Sequence, residues 1–197
     1  MGDAFSGRRL APLALAAAAG VVAAYAVVLL YMAVTHHWIV DGAGHRLAVD
    51  FLSFWSAGHL ALGGHAARAY DWPTMHALHR RMMGHDFPGY YGWGYPPLFF
   101  CVALALASLP YAAAFLSLLA VTLTLDVAAF VKIARRRSAA LLACAAPAVL
   151  GNALVGQNGF LSAALIGGAL VFLEENPVLS GVLLGLLTYK PHLGILF

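Results

Sequence analysis

The chain has 197 residues, of which 62% are hydrophobic and 10% charged, with a net charge of +3 and a mean hydropathy of +0.84. A soluble domain carries about 25% charged residues, so an ordinary soluble globular protein is excluded and the bilayer is the expected solvent. The positive charge clusters at Arg8-Arg9 and Arg135-Arg136-Arg137, each beside an apolar run. That is the pattern of a membrane orientation signal, not of a nucleic-acid footprint, and no nucleic-acid partner is expected.

The first predicted span runs from Ala11 to Val34. It is longer than the roughly 7–15 apolar residues of a signal peptide, so it reads as a retained span. Arg8 and Arg9 put its start in the cytoplasm. The segment from Thr35 to Tyr95 is then external, or periplasmic in a Gram-negative cell. It holds eight of the nine histidines and is rich in tryptophan and tyrosine, which is unlike a flexible linker.

Two helices are predicted inside this segment. One covers Phe51 to Leu62 with Asp50 as N-cap, and its apolar spacing allows one face to lie among lipid headgroups. The other covers Trp72 to Met83, with Asp71 as N-cap and Pro73 in the first turn. Gly63-Gly64 and Gly84 are the stops. The apolar run 97–109 follows Tyr95-Pro96. At about 20 Å of helix it is shorter than the roughly 30 Å hydrocarbon core, so it is predicted as half-buried or re-entrant on the outer side. The predicted external region therefore covers residues 35–110.

Residues 111–197 supply the remaining spans. Span two is Tyr111 to Ile133, running inward to the arginine cluster. Span three is about Ser138 to Leu154, kinked at Pro147, and leads to an outer turn at Gly156-Gln157-Asn158-Gly159. Span four is about Phe160 to Leu173, and Glu174-Glu175-Asn176-Pro177 forms a cytoplasmic turn. Span five starts at Val178 and ends near Lys190-Pro191-His192. The expected fold class is therefore an all-α polytopic membrane bundle of about five spans. The apolar stop at Phe197 leads to the expectation of an N-terminal fragment of a longer chain.

This topology places Asp50, Gln157 and Lys190 on one face. Asp50 is either a general base at the bundle mouth or a helix cap. Lys190, inside an apolar span, can meet a phosphate or snorkel to the headgroups. Gln157 and Asn158 can bind a sugar or phosphate, or serve the turn. Arg80 and Arg81 can hold a lipid phosphate or form a solvated face. Asp71 reads as a cap, and Asp126 as a hydrogen-bonding residue between helices. Cys101 and Cys144 lie in apolar stretches and read as free thiols. His36-His37, His76 and His79 lack the carboxylate or cysteine that would complete a metal set, so no metal is expected.

Five pieces of sequence occur in a telling order. They are Val49-Asp50-Phe51 with Phe54-Trp55-Ser56-Ala57, then Leu62-Gly63-Gly64 leading to Ala69-Tyr70-Asp71. Tyr95-Pro96-Pro97-Leu98 with Leu109-Pro110 comes next, then Gly156-Gln157-Asn158. The last is Gly181 through Gly185-Leu186 to Lys190-Pro191. Together they resemble glycosyltransferase family 87, the polyprenyl-phosphate-mannose-dependent mannosyltransferases of GT-C fold. The resemblance implies a multi-pass enzyme of the plasma (inner) membrane. It would move a hexose, typically mannose, from a polyprenyl-phosphate carrier to a glycolipid or polysaccharide acceptor on the outer face, inverting the anomeric carbon. It implies Asp50 as the general base, no cofactor, and donor or phosphate contacts at Gln157 and Lys190. Trp55, Tyr95, Asn158, Arg80 and Arg81 join these as substrate-binding candidates. Family members are about twice as long as this chain. The competing classes are a transporter or flippase, which needs polar groups at the bilayer midplane, and a non-catalytic subunit of envelope glycan assembly.

Overall fold

A computed structural model describes residues 7–47 and 49–194. The N-terminal tip and the apolar stop at Phe197 lie outside the described residues, as do the side chains of Arg8 and Arg9. Among the described residues the chain is helical, with two isolated β-bridges, Trp38 to Val40 and Val40 to Arg46, in the segment after the first helix.

Helix α1 covers Gly7–Val34 and α5 covers Tyr111–Ala134. These two are long and apolar enough to cross a membrane. Leu13, Val27, Leu30, Tyr31 and Val34 are exposed along α1, an apolar flank that lipid solvates and water does not. The expected third span is broken rather than kinked. Helix α6 (Ala139–Cys144) stops, and α7 (Pro147–Val155) restarts with the proline in its first turn. Proline has no amide hydrogen to donate and clashes with the preceding turn, so a helix begins there more easily than it continues. Helix α8 (Gly159–Phe172) and α9 (Pro177–Leu186), which continues as a 3-10 turn over Leu187–Tyr189, are apolar but shorter.

Helix α2 (Asp50–Leu62) departs most from expectation. Phe51 through Gly58 are buried in one unbroken stretch, on every side of the helix. It is a core element and not an amphipathic helix resting on headgroups. Its partners are α4 (Phe100–Ala107), α3 (Trp72–Met83), the 3-10 turn Ala66–Tyr70 and the start of α5. Phe51, Phe54, Phe99 and Phe115 are almost fully buried around it. Their rings meet edge to face, Phe51 with Phe115 at 5.0 Å and Phe54 with Phe99 at 5.7 Å, the arrangement ring quadrupoles favour. The apolar run 97–109 forms the 3-10 turn Pro97–Phe99 and α4, and α4 lies across α2 as a half-buried helix.

Two local expectations hold in detail. The Asp71 carboxylate accepts from the Thr74 amide at 3.0 Å and caps α3, and Gly84 ends that helix in the left-handed region at φ 75°. Asp50, by contrast, is the first residue of α2 and caps nothing; Val49 occupies the cap position without a side-chain bond.

The closest approach of α2 to α4 depends on Gly58. A Cβ added there would lie 2.0 Å from the Ala103 carbonyl oxygen and 2.8 Å from the Ala107 Cβ. Gly58→Ala is therefore expected to destabilise the detergent-solubilised protein by about 1–3 kcal/mol through overpacking. Gly151→Ala on α7, where a Cβ meets no atom within 4 Å, is expected to be neutral or mildly stabilising. Thermal melts of the two variants give the comparison, and equal melting temperatures would show that the α2–α4 contact is not tight.

Candidate functional site

The site forms where the start of α2 meets the α7–α8 turn. Gly156 ends α7 in the left-handed region at φ 63°. An added Cβ would lie 2.6 Å from both the Phe51 Cβ and the Phe115 ring. Only glycine satisfies the torsion and the space together. The turn is also tied to its own helix. The Gln157 amide donates to the Asn152 carbonyl at 3.1 Å, and the Gly159 amide donates to the Asn152 side-chain oxygen at 3.2 Å.

This seating brings Gln157 to Asp50. The Gln157 Nε2 donates to the Asp50 Oδ2 at 2.6 Å across 107 positions of sequence. The other end of the same amide, Oε1, accepts from the Asn158 backbone amide at 2.9 Å. Gln157 is thus oriented at both ends, and its NH2 group has to face the carboxylate. Burial pushes the Asp50 pKa above the usual aspartate value. The hydrogen bond from Gln157 and the nearby Lys190 ammonium pull the other way without cancelling it.

Behind the turn lies a second layer. Asn158 is fully buried. The Tyr189 and Ser162 hydroxyls lie 2.7 Å apart and 3.2 and 3.3 Å from its backbone carbonyl, so that one hydroxyl donates to the other and the second donates to the carbonyl. The Asn158 side-chain amide has no hydrogen-bond partner, although the Tyr95 hydroxyl lies beside it. Burial, together with the neighbouring Asp50 charge, raises the Tyr95 pKa despite Asn158. Tyr95, Phe99 and Tyr189 make an aromatic wall, with Tyr95 to Phe99 at 4.6 Å and Phe99 to Tyr189 at 4.7 Å. Lys190 follows Tyr189 directly and sits with its Nζ 6.0 Å from that ring.

Of the residues singled out from sequence, the structure gathers Asp50, Gln157, Asn158, Tyr95 and Lys190. Trp55 is not among them. Its indole donates to the Leu109 carbonyl at 3.1 Å, and its ring lies against His59, Tyr111 and the Arg46 guanidinium. Arg80 and Arg81 line a separate open recess of about 330 Å³ with Ala77, Gly84 and His85, and Arg80 Nε lies 3.7 Å from Asp86. His79 is buried beside Phe87, and desolvation lowers its pKa to about 4. His76 faces Asp86 at 3.4 Å. Among the described residues no three His, Cys, Asp or Glu side chains converge.

Sequence reasoning missed Tyr189 and Ser162. Both had a local signal: Tyr189 adjoins Lys190, and Ser162 stands one helical turn beyond Asn158. Arg46, held over the rings of Trp55 at 5.0 Å and Tyr111 at 5.5 Å, had none, because both rings come from later in the chain.

The raised pKa of Asp50 carries a stability consequence. A carboxyl whose folded pKa lies above its unfolded value favours folding when protonated. Stability from this group is present below the unfolded value of 3.8 and is lost as pH rises through the folded pKa. Asp50→Asn keeps an acceptor for Gln157 and removes the charge. It is expected to stabilise the fold at pH 7 by less than about 1 kcal/mol for a half-buried group, read as a small rise in melting temperature, with the gain shrinking toward pH 4. A variant that melts lower than wild type at pH 7 would mean that the attraction to Lys190 outweighs desolvation.

The family model for glycosyltransferase family 87 matches residues 93–197, more than half of the chain. The matched part contains Tyr95, Gln157, Asn158, Tyr189 and Lys190; Asp50 precedes it. No curated protein and no solved structure matches.

Proposed function

The chain belongs to glycosyltransferase family 87, a membrane glycosyltransferase family, and we propose that it transfers a hexose, mannose first among candidates, from a polyprenyl-phosphate carrier, with Asp50 as general base. One observation carries this reading: the 2.6 Å bond that fixes the Asp50 carboxylate to Gln157, a residue inside the family-matched segment.

In the proposed reaction the acceptor hydroxyl approaches Asp50. As its oxygen attacks the anomeric carbon, its proton passes to the carboxylate. The bond from the anomeric carbon to the carrier's phosphate oxygen breaks, its electron pair leaves with the polyprenyl phosphate, and the anomeric centre inverts. Lys190 neutralises the charge that grows on the departing phosphate. Gln157 holds the carboxylate in register, and the buried Asn158 supports the turn from behind. A lipid-linked donor is supported by an apolar recess of about 130 Å³ lined by Leu98, Phe99, Leu161, Leu165, Leu186 and Tyr189, the residue that precedes Lys190. An isoprenoid chain fits such a surface and a free nucleotide does not.

The same reading places five segments across or into the plasma membrane, with the N-terminus in the cytoplasm and the site at the outer face. The polar cluster gathers where α2 meets the α7–α8 turn, which disfavours a transporter, whose polar groups line the midplane.

The decisive assay supplies membranes containing the protein with radiolabelled polyprenyl-phosphate mannose. Asp50→Asn is expected to lower transfer by about 10²–10⁴-fold. Lys190→Met is expected to raise KM for the donor more than it lowers kcat. Wild-type kcat/KM should rise through an acid limb centred above pH 3.8, because the base acts as carboxylate and its pKa is raised. Transfer by Asp50→Asn at the wild-type rate would remove the general-base assignment. A wild type that ignores the mannose donor but consumes another lipid-linked sugar would correct the sugar alone.

A further inference from the structure

Helix α5 begins at Tyr111, whose ring packs on Phe51 at 5.2 Å directly after Asp50. It continues for 24 residues, about 36 Å of helix, and its far end therefore lies a membrane thickness away from the candidate site. There α5 and α8 end side by side and enclose a cleft of about 710 Å³. The cleft has two kinds of wall. Lys132 and Arg135 stand on the α5 side, and Glu174 and Glu175 on the side where α8 ends. Between them the surface is apolar, with Ile133 and Leu170 exposed.

The four charges balance but do not pair. Among the described residues the ion pairs are His45 with Asp41 and both His76 and Arg80 with Asp86, so neither glutamate lies within 4.0 Å of a lysine or arginine nitrogen. Opposite charges facing each other in water would gain little by closing up. At the low dielectric of a membrane edge they would gain more, unless something sits between them. Lys132 and Arg135 also border a neighbouring recess of about 460 Å³, where Arg136 and Arg137 stand outside the cleft itself. The carboxyl ends of α5 and α8 add partial negative charge on the glutamate side of the balance. Arg135 holds the left-handed C-cap position of α5 at φ 54°, where glycine is the usual occupant.

We infer that this cleft binds the headgroup of a zwitterionic phospholipid bearing a primary ammonium, its phosphate on Lys132 and Arg135 and its ammonium on Glu174 and Glu175. The phosphate accepts charge-assisted hydrogen bonds from the lysine and the guanidinium. The ammonium donates to the two carboxylates. The exposed Ile133 and Leu170 give the acyl chains an apolar path out of the cleft into the bilayer. A purely anionic headgroup satisfies the basic wall and leaves two carboxylates against its own charge. A trimethylated ammonium fits the charge pattern but has no hydrogen to donate. The order of affinity is thus ethanolamine, then choline, then glycerol headgroups. This site is independent of the role of Asp50; it requires only that the chain sits in a membrane.

The test is native mass spectrometry of the full chain in detergent, titrated with phosphatidylethanolamine, phosphatidylcholine and phosphatidylglycerol of matched acyl chains. Wild type is expected to hold the ethanolamine lipid about tenfold more tightly than the glycerol lipid, a difference of about 1.4 kcal/mol. Glu174→Gln with Glu175→Gln is expected to abolish that preference while phosphate-driven binding persists. Lys132→Gln with Arg135→Gln is expected to weaken all three lipids. All four side chains are exposed, so melting temperatures near wild type will confirm folding. Equal or tighter binding of the glycerol lipid by wild type overturns the proposal and leaves a plain basic patch. So does an ethanolamine preference that survives the glutamate double variant.

Discussion

Burial of α2 on all sides is the constraint from which the rest of the site follows. An eight-residue stretch with no solvent-facing side leaves only its two ends open. Phe51 packs into the angle between Gly156 and Phe115, and Gly58 lets the Ala103 carbonyl come close at the other end of that stretch. With the helix clamped so, its first residue has one direction left. Asp50 stands at the open end, half-buried, facing the turn that Gly156 has brought against it. A helix lying in the headgroups would leave the same carboxylate in water with its ordinary pKa.

The electrostatics of the site follow from that partial burial. A fully solvated aspartate would need neither Gln157 nor Lys190, and a fully buried one would take up a proton and lose its charge. The observed arrangement lies between. Desolvation raises the carboxyl pKa, while an oriented amide and a nearby ammonium oppose that rise. The Tyr189, Ser162 and Asn158 hydrogen bonds hold the turn from behind, so the amide that meets Asp50 has little freedom. Pre-organisation of this kind is what a proton-transfer site requires.

The molecule is also polarised along α5. At one end an aromatic wall surrounds a single carboxylate and a single ammonium. At the other, four exposed charges of both signs line a wide cleft. Small residues allow the intervening helices to pack: Gly167 lies against Ala129 between α8 and α5, and the Ser180 hydroxyl donates to the Ala169 carbonyl between α9 and α8. Such contacts stabilise apolar helices whose association gains nothing from the hydrophobic effect in lipid.

By itself the sequence determined the helical class, because a chain so poor in charge has to satisfy its backbone internally. It also determined the two long apolar helices, the Asp71 cap and the Gly84 stop, which depend on residues a turn apart. The convergence of Asp50, Gln157 and Lys190 was expected from alternation of the apolar runs, and these residues do come together. Tertiary structure decided the rest. Whether Asp50 capped its helix or faced Gln157 depended on a bond spanning 107 positions. Whether α2 lay on the membrane or inside the protein depended on α4 crossing it at Gly58. The separation of Trp55, Arg80 and Arg81 from the carboxylate followed from the same packing. Helical periodicity records which residues share a face of one helix; it carries no record of which other helix will cover that face.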